Sequence, residues 1–180
     1  MFLRGILFVS VAIASSAWAA SPFKSVQMSD FQVVGISIRT NNAVEATSAG
    51  LIPKQWAKFY QEGILEEIPN KVDSNIYAVY TDYESDKTGE YTFLIGAKVK
   101  AVDKLPPGLN AKTIPAGSYA VFTSEKGPVS QVVPQAWANI WSLEDSKKIH
   151  RAYEADFELY DQRALDPKNA QVDIYIGVHQ

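Results

Sequence analysis

Sliding the chain against itself by 81 residues lays Pro53-Lys54-Gln55-Trp56-Ala57-Lys58-Phe59-Tyr60 on Pro134-Gln135-Ala136-Trp137-Ala138-Asn139-Ile140-Trp141. Proline, tryptophan, alanine, an apolar residue and a large aromatic fall in register. Each block carries apolar residues at i, i+3 and i+4 behind a proline placed where a helix begins, so each reads as an amphipathic helix with an aromatic stripe. The same offset lays residues 76–83 on 157–164 and 91–99 on 172–180 without a gap. A duplicated unit constrains the fold more than any other feature, because whatever one half forms, the other must repeat.

Alternation and enrichment in Val, Ile and Tyr mark strands at 31–40, 75–83 and 90–102 in the first half, around a helix at about 49–62. The second half repeats this with strands at 111–124, 152–160 and 172–178 around a helix at 132–143. Turns are expected at Asp86-Lys87-Thr88-Gly89 and Asp166-Pro167-Lys168-Asn169, and Pro106-Pro107-Gly108 is the joint between the halves. Two tandem strand-helix-strand-strand repeats, about 30–103 and about 110–178, define an α+β domain. Its antiparallel sheets and pseudo-twofold place two helices beside a central cleft, the natural ligand site.

Residues 1–19 read as a cleavable signal peptide. Arg4 supplies the positive n-region, residues 6–13 are an almost unbroken apolar run, and Ala17-Trp18-Ala19 offers small residues for cleavage after Ala19. The run is shorter than the roughly 20 apolar residues a membrane span needs. Export to the periplasm or medium is therefore expected, with no membrane association after cleavage. The 161 residues that remain of 180 suffice for a single core.

With 17 basic and 20 acidic residues scattered along the chain, no basic patch exists for nucleic acid. Lys147-Lys148 reads as the cationic end of a helix. The absence of cysteine excludes disulfides, thiolate chemistry and a lipidated cysteine. His150 and His179 are read as surface residues, so no metal or other cofactor is expected. The phosphate-loop, HExxH and GxSxG signatures are missing.

Four segments in order, Ile114-Pro115-Ala116-Gly117-Ser118-Tyr119-Ala120-Val121-Phe122, a proline-led aromatic helix, Asp156-Phe157-Glu158-Leu159-Tyr160-Asp161 and Val172-Asp173-Ile174-Tyr175-Ile176, resemble the effector-binding domain of AraC-type and multidrug-sensing regulators. Its stand-alone members are called gyrase-inhibitory-protein-like (GyrI-like). The resemblance covers residues 30–178. It implies two strand-helix-strand-strand units about a pseudo-twofold with a small-molecule pocket between them, and a pocket carboxylate at the position of Glu158.

From the residues alone, Glu158 between Phe157 and Leu159 reads either as solvent-facing or as a pocket acid on the face shared with Tyr160. The 81-residue offset sets it against Tyr77, and the resemblance favours the pocket. Trp56, Tyr60, Trp137 and Trp141 are the candidate walls, with Tyr77 and Tyr175 on the strands, although tryptophan at helical spacing is equally a core pattern. A carboxylate among rings suits cationic or amphipathic small molecules. Two functions follow: an exported binding protein, or a hydrolase of strained electrophiles of the cyclopropanoid type, a chemistry some relatives imply, with Glu158 as catalytic acid or base.

Overall fold

In the computed structural model, which describes residues 22–179, the alternating segments form one eight-stranded antiparallel sheet. Its strands are β1 (Lys24–Met28), β2 (Phe31–Asn41), β3 (Ile76–Thr81), β4 (Glu90–Val99), β5 (Asn110–Ile114), β6 (Gly117–Thr123), β7 (Arg151–Tyr160) and β8 (Asp173–Val178), in the spatial order β1-β6-β8-β7-β3-β4-β2-β5. Helices α1 (Asn42–Glu45), α2 (Ile52–Gln61) and α3 (Ile64–Glu67) belong to the first half, and α4 (Val129–Asp145) to the second. The expected α+β duplication is present. The proposed leader at 1–19 lies outside the described residues.

The sheet reads the same from either end, with β3 and β7 paired at the centre, Ala78 opposite Glu158 and Tyr77 opposite Leu159. One expected strand, 111–124, is instead two. Pro115 has no N–H for a ladder, and the chain breaks there into β5 and β6, whose ends are tied by a hydrogen bond from Tyr119 Oη to the Pro115 carbonyl (2.9 Å). The two pieces then part company: β5 pairs with β2 of the first half, while β1 pairs with β6 of the second. Each half therefore holds an edge strand that sequence order assigns to the other, which ties the halves together.

α2 begins with Pro53 in its first turn, as the repeat predicts, and the Glu45 carboxylate accepts from the free N–H groups of Leu51 (3.0 Å) and Ile52 (3.1 Å). Pro134 does not begin its helix. α4 starts five residues earlier, and Pro134 lies inside it, with no N–H to offer the carbonyl of Ser130. His150 and His179 are exposed, as expected.

Both helices pack on the same face of the sheet, over Val34, Ile36 and Ile95 in the first half and Phe122, Ile174 and Ile176 in the second. Tyr80 and Tyr160 join both clusters and so mark the centre of that face. The reverse face curls onto itself. Phe31 of β2 meets Phe157 of β7 at 5.5 Å between ring centres, although two strands separate them. Gly35 and Gly96 are directly paired in β2 and β4, and a Cβ on either would lie within 2.0 Å of the opposing backbone, so only glycine permits this close approach.

Candidate functional site

Trp56 of α2 packs edge-on against Tyr160 (4.9 Å), and Trp137 of α4 packs edge-on against Tyr80 (5.1 Å). These are dyad-related contacts, so Tyr80 and Tyr160 are counterparts and the repeat offset in this strand is 80 residues, not 81. The counterpart of Glu158 is thus Ala78 rather than Tyr77. A one-residue change of register turns a side chain to the other face, which is why the ungapped alignment mismatched them.

Between α2 and α4 lies a cleft of about 580 Å³. Pro53 and Pro134, Ile52 and Val133, and the two Trp–Tyr pairs line it from opposite sides, and Glu158 lies at its base. The walls are close to symmetric. The charge is not, because a carboxylate in one half faces a methyl group in the other.

Glu158 is 2% exposed. Its Oε1 accepts from Tyr80 Oη (2.8 Å) and Trp137 Nε1 (2.6 Å), and its Oε2 accepts from Tyr160 Oη (2.6 Å). Burial raises its pKa above the ordinary carboxylate value, and the three donors pull it back only in part. Burial and the neighbouring carboxylate push the phenols of Tyr80 and Tyr160 well above theirs. Among the described residues, no lysine or arginine lines the cleft. The arrangement is an aromatic-walled carboxyl group that is hydrogen-bonded to three neutral donors and, among the described residues, has no cation lining the cleft with it. Trp137→Phe removes one donor to the ionised form, so the Glu158 titration midpoint, followed by carboxyl-resolved NMR, is expected to move upward.

Folding scatters the remaining candidate residues. Tyr60 is 64% exposed and stacks on the outer face of Trp56 (5.8 Å) without lining the cleft. Trp141 lies beyond Trp137 and lines an adjoining chamber. Tyr77 and Tyr175 are on the reverse face, where Tyr175 stacks on Phe157 at 4.4 Å. Their placement beside Glu158 is corrected: cross-strand pairing sets Tyr77 opposite Leu159 and Tyr175 opposite Phe157, one residue either side of the acid.

Sequence reasoning missed Tyr80 as the partner of Tyr160, a match visible only at the shorter offset. It also missed a second buried network. Asp156, fully buried, accepts from Arg151 Nη2 (2.5 Å) and Tyr83 Oη (2.7 Å) through one oxygen and from the Gly177 N–H (2.8 Å) through the other. An aspartate between Ala155 and Phe157 was the available signal.

A cleft at the pseudo-twofold of a duplicated α+β sheet defines the effector-binding class, and the comparisons agree. The sequence profile of the integron-associated effector binding proteins (Cass2) matches residues 26–178, so the chain belongs to that family, which binds small-molecule effectors. It is 37% identical over 145 residues to YobU of Bacillus subtilis, covering 80% of this chain and 89% of YobU. It is 32% identical over 131 residues to the transcriptional regulator BrlR of Pseudomonas aeruginosa, covering 71% of this chain but only 46% of BrlR. Among solved structures, an integron cassette protein from the mobile metagenome of Vibrio cholerae superposes with a TM-score of 0.71 at 28% identity, over 88% of this chain and 96% of that one. SAV2435, solved bound to tetraphenylphosphonium, gives a TM-score of 0.71 over 87% and 93% of the two chains, at 20% identity, a likeness of fold.

Proposed function

We propose that this protein binds lipophilic organic cations in the cleft between α2 and α4, with Glu158 as the counter-ion, and that it does so outside the cytoplasm. The observation that carries the reading is the buried carboxylate, which has three neutral donors and no positive partner, at the base of an aromatic cleft. A cation that sheds its water there gains both the Coulomb attraction of an unpaired charge in a low dielectric and the faces of Trp56 and Trp137. SAV2435, with the same fold, was solved with such a cation, tetraphenylphosphonium.

Binding selects ionised Glu158. Affinity therefore rises as pH rises through its elevated pKa and falls below it, and the bound cation lowers that pKa. Proton release on binding, read by calorimetry in buffers of different ionisation enthalpy, is expected near the unliganded pKa. For folding itself the sign is opposite. A carboxyl with a raised folded-state pKa contributes stability that is present at acid pH and lost as pH rises through that value.

A binder, rather than a hydrolase, is favoured by the cleft's chemistry. The titratable groups lining it are Glu158, Tyr80 and Tyr160. Both phenols are raised far from neutrality and are already committed to Glu158, which leaves no second proton carrier for acid–base turnover.

Tryptophan fluorescence tests the reading, because the three tryptophans other than Trp18 all line the cleft or its neighbouring chamber. Saturable quenching by tetraphenylphosphonium is expected, and no response at millimolar concentration would reject the reading. Tyr175→Phe, on the reverse face, is expected to leave that affinity unchanged. Export rests on the pattern of residues 1–19 and is tested separately by cell fractionation and N-terminal sequencing, with Ala20 as the expected first residue.

A further inference from the structure

Beside the cleft, and sharing Ile52, Tyr80, Pro134 and Trp137 with it, is a second chamber of about 200 Å³. Tyr83, Tyr91 and Trp141 complete its aromatic wall. The rings form an unbroken series: Trp141 lies 6.1 Å from Trp137, Trp137 5.1 Å from Tyr80, Tyr80 5.6 Å from Tyr91 and Tyr91 5.8 Å from Tyr83. Rings gathered around a small space are the setting in which proteins hold a quaternary ammonium group, because each ring face attracts positive charge. A cavity of about 150 Å³ accommodates benzene. A trimethylammonium group has fewer heavy atoms and fits.

The chamber has a carboxylate of its own. Glu45, at the end of α1, lines it and accepts from Thr40 Oγ1 (2.5 Å) and from the N–H groups of Leu51 (3.0 Å) and Ile52 (3.1 Å). Like Glu158, it is held in place by three neutral donors, which leave its charge uncancelled. The two cations on the wall already have partners: Lys87 pairs with Asp145, and Arg151 with Asp156 (2.5 Å) and Glu144 (3.6 Å). Two positive groups thus stand against four negative ones, Glu45, Asp145, Asp156 and Glu144, so the field in the chamber favours a cation. Tyr91 feels both ligand-facing acids, since burial first, and then the charges of Glu45 and Glu158, push its phenol up.

We propose that the chamber is an aromatic cage for a second positive charge, so that the protein takes bis-cations. One charged end lies at Glu158, an apolar linker passes Tyr80 and Trp137, and a quaternary ammonium end lies beside Glu45. This rests on the cation reading of the cleft.

Hexamethonium, octamethonium and decamethonium, which carry a trimethylammonium group at each end of the chain, are each titrated by calorimetry against the alkyltrimethylammonium of the same chain length, which carries one. The best-fitting dication is expected to bind about tenfold more tightly than its single-charged counterpart, as a desolvated cation among ring faces implies. Glu45→Gln keeps an acceptor for the start of α2 and removes the charge. It should bring that ratio near one and leave the single-charged probe unaffected. A wild type that prefers no dication of the series, or a preference that persists in Glu45→Gln, overturns the proposal. Should Glu45→Gln lose its near-UV dichroism, Trp141→Leu serves, since Trp141 lines the chamber and not the cleft. Leucine keeps an apolar side chain without a ring face, so the dication's advantage should shrink several-fold, and an undiminished advantage overturns the proposal. Binding of tetraphenylphosphonium without any of the dications overturns the chamber proposal alone. Failure of tetraphenylphosphonium and the single-charged probes to bind rejects the cleft reading instead.

Discussion

Glu158→Gln is expected to weaken tetraphenylphosphonium binding about a hundredfold, or ~2.7 kcal/mol, within the range for removing one charge of a desolvated pair. The amide occupies nearly the same volume and still meets Tyr80, Tyr160 and Trp137, so the cleft keeps its shape and only the charge is lost. Stability should not fall at neutral pH. The variant no longer buries an ionised group, and the pH-dependent part of stability that the raised pKa implies disappears with it. Calorimetric titration and a thermal melt of the same sample separate the two effects. A variant that binds the cation as tightly as the wild type would show that Glu158 is not the counter-ion.

The second large effect is on folding. Asp156→Ala should lower stability by about 3 kcal/mol, because it leaves the buried Arg151 side chain, 2% exposed, with only the more distant Glu144 carboxylate at 3.6 Å. Burial works to lower the Arg151 pKa, but the intrinsic basicity of a guanidinium keeps it charged even without Asp156, so the arginine cannot escape the penalty by losing its proton. In a domain of this size the melting temperature should drop by about 10 °C, read by circular dichroism. Replacing both partners with apolar residues, Arg151→Met with Asp156→Leu, should recover much of the loss. A double variant as unstable as the single one would mean that the contacts to Tyr83 and Gly177 matter more than the charge pair.

Sequence reading located the duplication, the helices and the acid, and failed where register or long-range pairing decides. The Pro53 and Pro134 blocks carry the strongest local pattern and led to both helices. The expected start at 132 was then too late, because residues 129–131 also join the helix, with Val129 packed against the core of the second half. Alternation put Glu158 on the face of Tyr160, as found. Tyr77 and Tyr175 were misplaced because an ungapped offset of 81 hides the one-residue shift that makes Tyr80 the counterpart of Tyr160. The exchange of β1 and β5 between halves had no local signature, since edge-strand partners are set by topology. Nor did the register shift in β7 between Arg151 and Asp156, because residues 151–156 hold no glycine or proline to mark a break.

The most direct test of the central claim uses two ions of the same shape and opposite charge, tetraphenylphosphonium and tetraphenylborate, titrated against the protein under identical conditions. With Glu158 ionised at the base of an aromatic cleft, the cation is expected to bind saturably and the anion at least a hundredfold more weakly. Equal affinity for both would mean that the cleft recognises four rings and no charge, and would contradict the account.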